Sequence, residues 1–320
     1  MKNTFIISLA AAVLLIISPL LLLTEKVAPL PQKIAETISP VKSEKATTDY
    51  FRIKTKNGIK KLSAKEYLIG VLAGEVSPLY EKEALKAQTV AAYTFALRRA
   101  LYAKSINREY DLTDDPATDQ CYTDKETAAK KWGENAEEYR KKLETAVDEV
   151  YGMWLEYDNS PALTVYHAVS SGTTNSSADV WGNALPYLTS VSSIGDKLSK
   201  NYLSEYDFSA ETFKEKLEDL CKTDTSKNAI GEIKKSDSGL VLTAAVGDKT
   251  LSGAEIQKAL GLVSASFDVE YSAGNYHFTV YGRGHGVGMS QTGAEYMAKQ
   301  GSSFEEILSH YYKGTKLKKS

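Results

Sequence analysis

The segment GRGHGVGMSQTGA, residues 282–294, restricts the local fold more than any other part of this chain. Five glycines fall within twelve residues, and glycine loses more backbone freedom on folding than any other residue. We therefore expect a loop, between a strand and a helix, whose backbone approaches another group closely. Its G-x-G-x-G-x-G spacing differs from the dinucleotide fingerprint, and it lacks the lysine of a phosphate-binding P-loop. A bulky neutral ligand is the better physical interpretation.

The whole chain has the composition of a folded globular protein, with 320 residues, 25% charged and 42% hydrophobic. Helix-like and strand-like patterns follow one another without regular alternation, which predicts an α+β fold rather than a doubly wound sheet. The net charge is −2, and acidic residues intersperse the lysine and arginine pairs. We therefore expect no nucleic-acid partner.

The N-terminal segment 4–23 contains no charged side chain. As a helix it would extend about 30 Å, the thickness of a bilayer core. The alternative is a cleaved signal peptide, whose shorter apolar run and small-x-small cleavage site are missing here. We predict a cytoplasmic stub (1–3), a transmembrane anchor (4–23), a linker (24–47) and a single mixed domain outside the cytoplasm (48–320). Lys2 supports that orientation.

Periodicity and turn residues predict the elements of that domain. Two capping boxes, at 63–66 and 303–306, mark helix starts, and Pro78 ends the first helix soon after Glu75. Helices are expected at 63–75, 81–104, 134–150, 210–220, 253–260, 290–300 and 303–312. Strands are expected at 51–55, 59–63, 153–157, 162–169, 186–191, 239–246, 267–272 and 276–282. The KNG turn (56–58) predicts a hairpin of the first two strands, and the AGN turn (273–275) predicts a hairpin of the last two.

Glu75, in VLAGEVSPLY, is the candidate general acid. It stands among apolar residues between two predicted helices. A carboxyl group in an apolar pocket has its charged form disfavoured, so its pKa rises, which suits an acid that works near neutral pH. The alternative is a carboxylate at a helix end exposed to water, and on the residues alone that interpretation is preferred.

Other residues that can carry chemistry form weaker patterns. A lone histidine on a strand, as predicted for His167, is usually a packed core residue, and no G-x-S-x-G elbow supports Ser170 or Ser171 as a nucleophile. The four histidines show no H-E-x-x-H spacing, so a zinc site has little support. Cys121 and Cys221 are the only cysteines, and a disulfide and two separate thiols stay equally open.

Five stretches, in one order from about residue 65 to the C-terminus, carry a family resemblance. They read GVLAGEVSPLYEKEALKAQTVAAYTFAL, YDLTDDPATDQCY, YHAVSSG, VWGNALPYLTSV and GRGHGVGMSQTGAEYMAKQGSSFEEILSHYYKGTKL. Taken together they resemble the stage II sporulation protein D family, which is related to amidase-enhancer domains. An N-terminal membrane anchor is also the family's arrangement.

This resemblance implies a lytic transglycosylase of peptidoglycan, which cleaves the MurNAc–GlcNAc bond without water and leaves a 1,6-anhydro-MurNAc end. The family's catalytic glutamate corresponds to Glu75, which reverses the preference for a solvated carboxylate. The implied substrate is glycan from which an amidase has removed the stem peptides, and no metal or cofactor is required. The implied partners are the stage II sporulation proteins P and M. The implied location is the mother-cell membrane, facing the septal wall during engulfment.

Two other functions stay open. One is a non-catalytic glycan-binding module that activates a partner amidase, and the other is a metal-dependent wall hydrolase. Tyr93 replaces an arginine of the family, which puts substrate positioning in doubt. Asp119 stands where some relatives have a metal-binding cysteine, and Cys121 is displaced by one position. We therefore expect no bound zinc.

Sugar contacts are expected from aromatic rings that stack on pyranose faces and from polar groups of the glycine-rich loop. The predicted substrate-binding residues are Tyr93, Tyr166, His167, Ser170, Ser171, Trp181, Tyr187, His285, Ser290 and Gln291. The glycines of the loop would let backbone N–H groups approach the sugar, while Glu75 would be the proton donor.

Overall fold

The structure, a computed structural model, describes residues 48–319. The stub, anchor and linker predicted for residues 1–47 lie outside the described residues. Of the helices in the described part, none combines the length and apolar character needed to cross a bilayer. Helices and sheets mix without regular alternation along this part of the chain, which confirms the predicted α+β class.

The described part of the chain starts with the predicted hairpin, followed by two helices. These elements are β1 (Tyr50–Thr55), β2 (Gly58–Ser63), α1 (Ala64–Glu75), α2 (Lys82–Ser105) and β3 (Leu112–Thr113), which runs parallel to β1. Ser63 caps α1, because its hydroxyl accepts a hydrogen bond from the N–H of Glu66 at 3.1 Å. The carboxylate of Glu66 does not complete the predicted capping box but binds Arg140 at 2.9 Å.

The helix α2 lies at the centre of the larger hydrophobic core. Its stripe of small residues, including Ala84, Ala87 and Ala91, is buried to 2% exposure or less. Small side chains let other backbones approach α2 closely, and the later elements that pack against it include a long helix, a strand and the last two helices of the chain.

A separate short helix precedes the predicted helix at 134–150. The carboxylate of Asp124 accepts hydrogen bonds from two N–H groups and so caps α3 (Lys125–Trp132). Gly133, with φ of +58°, ends α3 and opens a 3₁₀ turn. The elements that follow are α4 (Ala136–Val150), β4 (Met153–Tyr157) and β5 (Ser160–Pro161).

The segment from 160 to 202 contains less strand than predicted. The expected strand at 162–169 is reduced to β6 (Tyr166–His167), and 186–191 forms none. The hydroxyl of Thr164 donates to a backbone carbonyl of α2 at 2.7 Å. Thr164 is therefore buried by packing against that helix and not by strand pairing. The other elements here are α5 (Ser177–Trp181) and a 3₁₀ turn (Ile194–Leu198).

Residues 203–281 enclose a second, smaller core. They form two antiparallel sheets and two helices: β7 (Leu203–Ser209), α6 (Ala210–Leu217), β8 (Ile230–Lys235), β9 (Val241–Val246), β10 (Lys249–Ser252), α7 (Gly253–Leu260), β11 (Phe267–Ser272) and β12 (Asn275–Tyr281). The predicted hairpin of β11 and β12 is confirmed, and β12 also pairs with β7. The sequence reasoning missed β7, β8 and β10.

The last part of the chain returns to the larger core. Its elements are β13 (Met289–Ser290), α8 (Gln291–Lys299), α9 (Phe304–Tyr311) and β14 (Lys316–Lys319). The predicted capping box of Ser303 and Glu306 is complete. The strand β13 runs parallel to β6, and β14 pairs with β4. This return brings the start of α8 beside β6, near the end of α1.

Candidate active site

Glu75 is the last residue of α1, so its carboxyl group lies at a helix end. Val76 is extended, with φ of −128°, and Pro78 cannot continue the helix. The last turn of α1 contains no basic residue. Because the C-terminal end of a helix carries partial negative charge, this position disfavours a carboxylate and favours the neutral acid.

Burial raises the pKa of Glu75 above its usual value, and several donors oppose that shift. The N–H of Cys121 donates to Oε1 of Glu75 at 2.7 Å. The side chains of Gln291 and Tyr166 also approach the carboxyl group and lower its pKa, but burial is the largest effect. The structure thus agrees with the raised pKa that the apolar surroundings predict.

A chain of hydrogen bonds leads to this carboxyl group through Gln120. The hydroxyl of Tyr67 donates to Oε1 of Gln120 at 2.9 Å, and Nε2 of Gln120 donates to the hydroxyl of Tyr166 at 2.9 Å. The Tyr166 hydroxyl accepts that bond, so its proton stays free for an acceptor, and the Glu75 carboxyl group lies beside it. Sequence reasoning missed Tyr67 and Gln120, because only the folded chain brings residues 67, 120 and 166 together.

The loop that carries Gln120 and Cys121 is held by a buried ion pair. Nε of Arg99 donates to Oδ1 of Asp119 at 2.7 Å, and the two side chains are 4% and 0% exposed. Oδ2 of Asp119 accepts bonds from the N–H and the hydroxyl of Thr113. Position 119, which was compared with a metal-binding cysteine of some relatives, is therefore held in a buried ion pair.

Gln291, the first residue of α8, is 6% exposed and lies beside Glu75. Its buried Nε2 atom approaches the carboxyl group of Glu75 without reaching hydrogen-bond geometry, and it has no other partner within residues 48–319. A buried amide nitrogen without a partner is costly, so it is available to a ligand at this place. The structure thus brings three of the predicted site residues together: Glu75, Tyr166 and Gln291.

The glycine-rich loop packs closely against residues 165–175 of the chain itself. Gly282 has φ of +72°, and a Cβ atom there would lie 2.6 Å from the carbonyl oxygen of Val169. Gly288 has φ of +74°, and a Cβ atom there would overlap the carbonyl oxygen of Val165. This corrects the expectation that the glycines bring backbone N–H groups to a sugar, because their close neighbours are other parts of the protein.

His285 projects from this loop, and its side chain is exposed to solvent. Its ring centroid lies 5.8 Å from that of His167 and 5.7 Å from that of Trp181. The N–H of Val287 donates to Nδ1 of His285, so the neutral ring carries its proton on Nε2. The surrounding protein lowers the pKa of His285, and burial lowers the pKa of His167 to about 3. Both rings are therefore neutral near neutral pH.

Asp196 anchors the backbone behind this loop. Its fully buried carboxylate accepts bonds from the N–H of Ser170 and the hydroxyl of Ser290, both at 2.8 Å, and burial raises the pKa of Asp196. Ser290 also caps α8. The hydroxyl of Ser171 donates to the backbone carbonyl of Ser238 at 2.7 Å. The geometry therefore gives these serines a supporting role, and their predicted sugar contacts stay a prediction.

Tyr93 and Tyr187 lie in the larger core. Tyr93 is 2% exposed and packs against Phe51 and Tyr151. Tyr187 is 3% exposed, and its hydroxyl accepts a bond from the N–H of Leu163 at 2.9 Å. Neither ring presents a face for stacking, so the structure does not support sugar contacts from these two residues. Tyr93 instead fills the space between α2 and the β1–β2 hairpin.

A groove of roughly 400 Å³ opens beside Glu75. Its lining residues are Gly74, Glu75, Val76, Ser77, Pro78, Leu79, Lys131, Trp132 and Tyr139. Sequence reasoning missed its aromatic wall, because α3 was not recognised as a helix. The Asp124 cap and the glycine after Trp132 were the signals that could have revealed it.

Both cysteines are free thiols, which settles the open question about a disulfide. Cys121 borders the active site, and Cys221 lies in the smaller core. Across the described range 48–319, no group of three or more His, Cys, Asp or Glu side chains is arranged to hold a metal ion.

Comparison with known proteins connects this geometry to a family. Residues 53–157, which include Glu75 and the Asp119 loop, match a family model described as stage II sporulation protein. The chain is 38% identical over 292 residues to stage II sporulation protein D of Bacillus amyloliquefaciens, covering 88% of this chain and 83% of that relative. The chain belongs to the stage II sporulation protein D family.

One further relative supports that membership, and another is more distant. Stage II sporulation protein D of Bacillus subtilis (strain 168) is 38% identical over 261 residues, covering 81% of this chain and 75% of that relative. An amidase enhancer of the same organism is 27% identical over 305 residues, covering 78% of this chain and 40% of that protein. The predicted link to sporulation is therefore confirmed, with the amidase enhancer as a distant relative.

Proposed function

We propose that this member of the stage II sporulation protein D family is a peptidoglycan lytic transglycosylase with Glu75 as its general acid. The observation that carries the proposal is the setting of Glu75. Burial raises its pKa, yet Cys121, Tyr166 and Gln291 favour its ionised form. Such a group can hold a proton before the reaction and bear a negative charge after donating it.

In the proposed reaction, Glu75 gives its proton to the glycosidic oxygen while the bond from that oxygen to C1 of MurNAc breaks. The 6-hydroxyl oxygen of the same MurNAc bonds to C1, and its proton passes to the Glu75 carboxylate. No water is consumed, and the attacking hydroxyl gains the rate advantage of an intramolecular group.

One carboxyl group is enough for this sequence, whereas most glycosidases use two. Asp119 lies near enough to influence Tyr67, as Glu75 does. It is held by Arg99 and by the N–H and hydroxyl of Thr113, so it is poorly placed to serve as a base.

The cellular setting is part of the same proposal. Residues 4–23 would anchor the protein in the mother-cell membrane, with residues 48–320 facing the septal wall. The substrate would be glycan that an amidase has already freed of stem peptides, and the stage II proteins P and M would be the partners.

The test uses full-length protein in detergent and peptide-free glycan, with products analysed by mass. Wild-type protein should produce anhydro ends, each lighter by one water than a hydrolysed end. Glu75→Gln should lower the rate by about 10²–10⁴-fold, the usual contribution of a general acid, while its circular dichroism is unchanged. Glu109→Gln, which changes an exposed glutamate, is the matched control. Full activity in Glu75→Gln would refute the proposal.

The similarity to an amidase enhancer favours one alternative, a glycan-binding activator without catalysis. In that case wild-type protein would bind glycan without forming products and would stimulate a partner amidase. Hydrolysed ends that disappear with a chelator would instead indicate a metal-dependent hydrolase.

A further inference from the structure

The groove beside Glu75 has an aromatic wall that the proposed reaction does not use. Trp132 at the end of α3 and Tyr139 in α4 meet edge to face, with ring centroids 6.0 Å apart and an angle of 82° between the planes. Leu79, also in the lining, is 67% exposed. Flat, apolar surfaces of this kind suit the face of a sugar ring. The volume of roughly 400 Å³ lies within the usual range for small-molecule sites.

Lys131 gives the groove a positive charge. It is exposed, it lines the groove, and within residues 48–319 no carboxylate forms an ion pair with it. Its charge lowers the pKa of the Cys121 thiol, although burial dominates and raises that pKa. Because the Cys121 N–H binds Glu75, the lysine charge lies close to the proposed acid. The neighbouring Lys130 is exposed too but does not line the groove.

We propose that Lys131 is a specificity-determining residue of a saccharide subsite in this groove, where it selects N-acetylmuramic acid whose lactyl carboxylate is free. Trp132 and Tyr139 take the sugar face, and Lys131 binds the lactyl carboxylate. This inference rests on the proposed function, since it assumes that the ligand is peptidoglycan glycan.

The charge of the ligand explains why Lys131 would discriminate. In glycan that still carries peptides, the lactyl carbonyl is a neutral amide. Removal of the peptide leaves a free carboxylate on every MurNAc that was substituted. A cation beside the groove stabilises the bound carboxylate, whereas its interaction with the neutral amide is weak. Lys131 is thus the specificity-determining residue that links sugar binding to prior amidase action.

The test measures equilibrium binding to full-length protein carrying Glu75→Gln, so that the glycan is not consumed. One probe is peptide-free glycan, and the other is the same glycan with its lactyl carboxylates converted to methylamides. Adding Lys131→Gln should weaken binding of the carboxylate glycan about two- to fivefold, as expected for an exposed ion pair, without affecting the methylamide glycan. Lys130→Gln should change neither affinity.

The aromatic wall is tested separately. Trp132→Ala and Tyr139→Ala should each weaken binding of both glycans, by about three- to tenfold. Unchanged binding in both aromatic variants overturns the subsite, and equal effects of Lys131→Gln on the two glycans overturn the carboxylate contact. Failure of the proposed function is a different result, because the wild-type protein would then bind both glycans as expected but form no anhydro ends.

Discussion

Replacing Asp119 by asparagine tests whether a buried ion pair holds the loop that orients the proposed acid. The Asp119 side chain is 0% exposed and accepts a bond from Arg99 at 2.7 Å. Its other oxygen accepts bonds from the N–H and hydroxyl of Thr113 at 2.8 and 3.0 Å. The next two residues, Gln120 and Cys121, donate hydrogen bonds to Tyr166 and to Glu75, the proposed acid.

Asparagine keeps the shape of aspartate but removes its charge. Arg99, which is 4% exposed as a side chain, then stays buried without a counter-ion. Removing one partner of a buried pair costs about 3–5 kcal/mol. No cavity forms, so we expect Asp119→Asn to lower the free energy of unfolding by about that amount. Adding Arg99→Gln should recover part of the loss, because no uncompensated charge then remains.

This change is measured by urea titration of the full-length protein in detergent, with tryptophan fluorescence as the signal of unfolding. Asp148→Asn is the control, because Asp148 forms an exposed pair with Lys65 whose side chains are 60% and 48% exposed. Such a pair contributes about 0.2–1 kcal/mol. If Asp119→Asn costs no more than Asp148→Asn, the buried pair does not hold the loop. Activity should fall with stability, since the Cys121 N–H would no longer be fixed.

Three further predictions concern the proposed acid and the glycine-rich loop. Glu75 must be protonated to act, and burial raises its pKa above 4.5. Activity should therefore persist above pH 4.5 and be lost as the pH rises through the folded-state pKa of Glu75. A pH–rate profile in which activity already falls below pH 4.5 contradicts this. His285→Ala should raise KM but leave more activity than Glu75→Gln, and an equal loss of kcat would place His285 in the chemistry. Gly288→Ala should destabilise the protein by about 1–3 kcal/mol in urea titration, from backbone strain and overlap with Val165. Gly274→Ala has a similar φ of +82° in open space, so it isolates the strain, and it should cost less.

The sequence predicted those parts of the fold that depend on neighbouring residues. Ser303 and Glu306 cap a helix, Pro78 follows the end of another, and the AGN turn joins β11 to β12. Each of these signals acts within a few residues. Apolar runs were less informative, because the run at 162–169 is buried mainly by packing against α2 and contributes only a two-residue strand.

The surroundings of the candidate site could not be predicted in the same way. The Cys121 N–H that binds Glu75 is a backbone group and has no sequence signature. Asp196, which fixes two serines of the predicted site, meets Ser290 across 94 residues of chain. The glycine-rich loop was recognised as a place of close approach, but its partner was misassigned, because composition shows that space is needed and not what fills it.

The balance of effects around Glu75 is the feature that suits one group to both proton transfers. Burial alone would make the carboxylate left after donation too unfavourable, whereas donors alone would leave the acid ionised near neutral pH. The order of donors resolves this conflict. Tyr67 occupies the Gln120 carbonyl, so the Gln120 amide must donate to Tyr166, and the proton of Tyr166 is left for Glu75. Together with the Cys121 N–H, this fixed set of donors stabilises the charge where it forms, without a second carboxylate beside it.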